Sequence, residues 1–147
     1  MAGPKKNPRH RAREAALQIL YQWEIGRTDV ERAAETLFNH QWPDATPPSG
    51  GLREFAAALA HDTVARLVDI DALIAETAER WRPERMAVLD RLILRMAIGE
   101  LMRDPETPRP VIINEALELA RTFSTEDSVK FINGMLDAIR KKLESRG

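Results

Sequence analysis

The chain has 147 residues, 44% hydrophobic and 31% charged, which suits one globular domain. Its formal net charge is −1, so no overall field draws in a polyanion and any attraction for nucleic acid has to come from local asymmetry. The absence of cysteine excludes disulfides and thiolate metal sites and fits a reducing, cytoplasmic setting. No apolar run approaches the ~18 residues of a membrane span, and the basic N-terminus lacks the apolar segment of a secretory signal.

Apolar residues recur at spacings of three and four and nowhere alternate convincingly, so the chain is expected to be all-α. The first helix is expected from about Arg9 to Ile25, ending at Gly26, with Ala12, Ala16, Ile19, Leu20 and Trp23 as its core stripe. Thr28 and Glu31 match a capping box that opens a second helix to about His40. The segment Pro43–Gly51 is rich in proline and glycine and reads as a loop. A third helix follows over about Leu52–Val68, with Phe55, Leu59, Val64 and Leu67 turned inward, and a fourth over about Asp71–Arg80.

Pro83 suits the first turn of a fifth helix running to about Arg103. That helix is apolar on most sides and is expected at the centre of the bundle. Only a strip through Arg91, Arg95, Gly99 and Met102 reads as open. Glu100 falls in the apolar arc, where a charge needs hydrogen-bond partners. Asp104–Pro110 forms a stiff connector to a sixth helix, about Ile112–Thr122. Ser124 and Asp127 suggest the cap of a seventh, whose seam is Val129, Ile132, Leu136, Ile139 and Leu143.

Catalytic signatures are missing. There is no phosphate-binding glycine loop, no Gly-x-Ser-x-Gly elbow and no His-Glu-x-x-His motif. His10, His40 and His61 show no ligand spacing, and adjacent His61 and Asp62 point in different directions on a helix. No catalytic residue, metal site or cofactor is implied.

Two segments point elsewhere. Residues 1–13 carry Lys5, Lys6, Arg9, His10, Arg11 and Arg13 and no acid. They read as a flexible basic arm over 1–8 that runs into the first helix. Either the arm only aids solubility, or it meets phosphates. On the helical wheel His10, Arg13, Leu17 and Tyr21 form a second stripe. Leu17 and Tyr21 either face a partner or lie under another helix.

In the seventh helix Phe131 lies nearly opposite the seam, next to Lys130, and Gly134 sits in the interior. Glycine there costs roughly 1 kcal/mol relative to alanine, which suggests close approach of another backbone or a ligand. Phe131 belongs either to a second packing seam or to a base-stacking surface.

These segments carry a resemblance. Arg11-Ala12-Arg13-Glu14-Ala15-Ala16-Leu17-Gln18 with Leu20-Tyr21-Gln22-Trp23 resembles the opening of the NusB family of transcription antitermination factors. Asp90-Arg91-Leu92-Ile93-Leu94-Arg95-Met96 with Glu100-Leu101 resembles the family's central helix. Ile113–Ala120 followed by Glu126-Asp127-Ser128-Val129-Lys130-Phe131-Ile132-Asn133-Gly134-Met135-Leu136-Asp137 resembles its C-terminal signature. Gly99, where a bulkier residue is common, Met135, where valine or isoleucine is usual, and the 43–51 loop depart from the pattern.

The resemblance implies one NusB-like RNA-binding domain over residues 1–147, a seven-helix bundle in two subdomains. It implies a non-catalytic factor that binds boxA RNA of nascent ribosomal transcripts with NusE, a small-subunit ribosomal protein, and acts on RNA polymerase in an antitermination complex. Arg9, Arg11, Arg13, Lys130 and Phe131 would contact RNA. Tyr21, Asp90 and Asp127 would lie at or near the NusE and RNA surfaces. A homodimer is a further possibility of the family. The competing readings are a detached NusB-like module of the kind joined to RNA cytosine methyltransferases, and a structural helical oligomer.

Overall fold

Three-and-four spacing does build helices across the described residues. The structure is a computed structural model and describes residues 8–41, 50–78, 83–104 and 106–146. Among the described residues there are seven α-helices and no strand: α1 Pro8–Glu24, α2 Val30–Thr36, α3 Gly50–Ala65, α4 Leu67–Thr77, α5 Val88–Arg103, α6 Arg109–Phe123 and α7 Glu126–Arg146. A π-helical segment, Leu37–Gln41, continues α2, and a 3-10 turn, Pro83–Arg85, precedes α5. The loop expected over 43–51 lies outside the described residues up to position 49. The chain divides into two compact units, Met1–His61 and Asp62–Gly147.

In the first unit α1 packs on α2 and on the π-helical segment. Its stripe is buried as expected at Ala12, Ala16, Ile19 and Leu20. The helix ends at Glu24, and Gly26 follows because a side chain has no room there: a Cβ would stand 2.7 Å from the Gln22 carbonyl oxygen. The left-handed residue of the turn is Arg27, with φ of 52°. The capping box expected at Thr28 is displaced by one residue, and Asp29 caps α2 by accepting from the Arg32 amide at 3.4 Å.

In the second unit α5 packs against α4, α6 and α7. Every residue from Leu92 to Leu101 is buried, including Glu100 at 1% exposure. The strip expected to be open is therefore mostly covered. Arg95, 7% exposed, donates to both carboxylate oxygens of Asp71 at 2.9 and 2.8 Å. Arg91 donates from Nη1 to the carbonyls of Pro83 and Met86 at 2.9 and 3.2 Å, which ties the 3-10 turn to the helix. Gly99 faces Thr63 and Ile70, with 3.4 Å left for a Cβ at each. Its departure from the family pattern is thus an internal packing matter and not one of partner contact.

Pro83 opens the 3-10 turn instead of α5, whose own N-cap is Ala87. The connector before α6 is held by Asp104, whose side chain accepts from the amides of Glu106 and Thr107 at 2.8 and 3.1 Å. Burial pushes the Asp104 carboxyl upward, the largest single effect, but the hydrogen bonds from Thr107 and Glu106, with the Arg103 charge, together hold it below its usual value. The seam of α7 is buried at Val129, Ile132, Leu136 and Ile139, and Met135 joins it.

Candidate nucleic-acid interface

In the first unit the basic residues sit on the opening turns of α1. Lys5 and Lys6 lie outside the described residues. Arg9 is exposed, and its guanidinium carbon stands 4.2 Å from the centroid of the Phe55 ring on α3. Arg13, one turn later, stands over the same ring at 5.4 Å and is only 4% exposed. Arg11 is half-buried. Such contacts are favourable because the ring face is electron-rich and the guanidinium is a planar cation.

The second stripe of α1 needs correction. His10 is 8% exposed and its Nε2 lies 3.1 Å from the Glu14 carboxylate, so it is engaged inside the chain. Leu17 is 2% exposed. Ala15 is buried as well, so α1 is covered over a wider arc than the single predicted stripe. Of His10, Arg13, Leu17 and Tyr21, only Tyr21 reaches the surface, at 40% exposure. One turn on, Ile25 is exposed beside it.

In the second unit the N-terminal end of α7 carries the other group. Lys130 and Asp127 are exposed, and Phe131 is half-buried. Thr125 caps the helix in place of the expected Ser124 and Asp127: its Oγ1 accepts from the Ser128 amide at 3.1 Å. Asp90 is corrected too. It is 9% exposed, one carboxylate oxygen accepts from the Ser124 hydroxyl, and the other accepts from the Ser128 hydroxyl at 2.6 Å. An aspartate with both oxygens so used anchors α7 to α5 and is not an open partner contact. A Cβ on Gly134 would meet no described atom within 4 Å, so no close neighbour among the described residues requires the glycine.

Sequence reasoning missed Phe55 as a partner of the arginines, because α1 and α3 are distant in sequence and the residue fits a core stripe. It also missed a further such pair, Arg53 over Phe38 at 5.8 Å. Among the described residues no group of three or more His, Asp or Glu is placed to hold a metal ion, and no helix is long and apolar enough to cross a membrane.

Residues 10–141 match the model of the NusB family. The chain belongs to this family. It is 43% identical over 141 residues to the transcription antitermination protein NusB of Koribacter versatilis, covering 96% of this chain and 94% of that one. It is 45% identical over 139 residues to the corresponding protein of Solibacter usitatus, with 92% and 90% covered. Among solved structures, T. maritima NusB superposes with a TM-score of 0.81 at 36% identity, over 93% of each chain. A chain from a complex of antitermination factors NusB and NusE with double-stranded RNA superposes at 0.80 with 22% identity, over 92% of this chain and 97% of that one. At that identity the likeness is one of fold. The seven helices in two units expected from the NusB resemblance are thus found among the described residues.

Proposed function

We propose that this chain is a transcription antitermination factor. In this reading it binds boxA-type single-stranded RNA in nascent ribosomal transcripts together with NusE, and the assembly acts on elongating RNA polymerase in the cytoplasm. The role is one of binding, without catalysis and without a cofactor. The observation that carries it is the near full-length kinship with proteins named for antitermination. Chemistry supports the RNA component. An acid-free basic segment enters α1, Arg9 is exposed on its first turn, and Lys130 is exposed beside a half-buried phenylalanine. Arginine and lysine supply phosphate contacts, and aromatic rings supply base stacking.

Tyr21 on α1 and Ile25 just beyond its end form the exposed apolar group best suited to a protein partner, and NusE is the partner proposed for it. Asp127 lies beside Lys130 and Phe131 and modulates the RNA surface by its charge. The methyltransferase-module and structural-oligomer readings have no comparable observation behind them.

The test is a transcription reaction with RNA polymerase, NusE and the remaining antitermination factors on templates with and without a boxA element. Terminator readthrough that rises on adding this chain, and only when boxA is present, is the expected result. Readthrough indifferent to the chain or to boxA overturns the reading.

A further inference from the structure

Phe55 serves two cations at once. Arg9 and Arg13 are four residues apart on α1, a spacing at which like charges repel across one helix face, yet both guanidinium groups stand over one ring, at 4.2 and 5.4 Å. The ring face attracts each cation and so offsets their mutual repulsion. Arg13 is buried while Arg9 is exposed. The ring therefore forms a floor for the outer arginine.

We propose that Phe55 is a positioning residue of the RNA-binding surface, acting through Arg9. This rests on the RNA-binding reading above. A guanidinium over a ring gives its face to the π system and keeps its N–H donors at the rim of its plane, where phosphate oxygens are met. An arginine already seated in this way loses less side-chain freedom when RNA binds than one moving in solvent.

The test compares the full chain with Phe55→Leu, Phe55→Met, Phe55→Tyr, Arg9→Ala and the double substitution Phe55→Leu with Arg9→Ala, helicity being verified for each. Binding of a boxA-type single-stranded RNA oligonucleotide is titrated at low salt. Phe55→Leu and Phe55→Met are each expected to weaken binding roughly two- to five-fold, the range of one exposed cation–π contact. Phe55→Tyr keeps the ring and retains the affinity. Phe55→Leu has no further effect once Arg9 is alanine.

In the RNA-free protein the Arg9 Hε resonance is expected to carry a ring-current displacement that Phe55→Leu abolishes. Equal weakening with and without Arg9, or no weakening while the unaltered chain binds RNA well, overturns the role of Phe55 and leaves the RNA-binding reading standing. An unaltered chain that binds no RNA, with the Arg9 resonance still responding to Phe55→Leu, overturns the RNA-binding reading and this inference with it.

Discussion

Asp90, in the first turn of α5, accepts a 2.6 Å hydrogen bond from the hydroxyl of Ser128, in the first turn of α7. Its other oxygen takes the hydroxyl of Ser124, the residue that closes α6. One carboxylate thus joins the ends of three helices. Hydrogen bonds to a charged group contribute about 1.5–3 kcal/mol each, and removing the acceptor strands both donors. Asp90→Ala is predicted to lower stability by about 2–4 kcal/mol in urea unfolding, with a smaller loss for Asp90→Asn, which keeps one acceptor oxygen. A change under about 0.5 kcal/mol, the level of an ordinary surface substitution, would show that the joint contributes little.

Gly134 is exposed on α7, and a Cβ there would meet no described atom within 4 Å. Gly134→Ala is therefore predicted to stabilise the fold by about 1 kcal/mol through helix propensity alone. The same substitution is predicted to weaken association with RNA or NusE, because a glycine not needed for internal packing is explained by close approach of a partner. A thermal midpoint that rises with unchanged association would remove that explanation.

The core was legible in the sequence wherever one helix face determined it. The α7 seam and the α1 stripe follow from periodicity because burial of apolar surface dominates there. Relations between helices distant in sequence were not legible. Leu17 reads as a flank of α1 on the wheel and is buried. Asp90 is placed by the resemblance at or near a partner surface and is a joint, and Phe55 reads as core and lies under two arginines. Each depends on which helices become neighbours, and periodicity carries no information about that. Caps shifted by a residue, at Asp29 and Thr125, for a local reason: adjacent Thr, Asp and Ser all offer a capping oxygen, and backbone geometry selects among them.

The C-terminal turns of α7 are tied to α4 through Glu76, which pairs with Arg146 and Lys142. The hydrogen bond from Arg146, assisted by both positive charges, holds the Glu76 carboxyl below its ordinary value of 4.5. A folded-state value below the unfolded one means the contribution is fully present above that ordinary value and is lost as pH falls through the folded value. Glu76→Gln is predicted to flatten the acid side of the stability profile slightly and to leave stability near pH 7 little changed, since the pair is solvent-exposed. Urea midpoints measured from pH 7 to pH 3 check this, and identical acid slopes for the two proteins would contradict it.

Asp127 is exposed in the first turn of α7, three residues before Lys130. Because Thr125 supplies the capping oxygen, the Asp127 charge is dispensable for the cap, and beside Lys130, proposed above to meet phosphate, it would repel RNA. Asp127→Asn is predicted to leave RNA affinity unchanged or raise it. Clear weakening would mean that the carboxylate itself makes a favourable contact.

The central claim is that the opening turns of α1 bind RNA through phosphates. Its most direct test is a titration of boxA-type RNA over a series of salt concentrations, in the presence of NusE, with the unaltered chain and with Arg9→Gln combined with Arg11→Gln. Arg13 is left in place because it is buried. Single-stranded RNA gives a log–log slope of about −0.7 per phosphate contact, so losing two contacts should make the slope shallower by about 1.4, with weaker binding at every salt concentration. Superimposable salt dependences for the two proteins would contradict the claim and reduce the basic segment to a solubilising one.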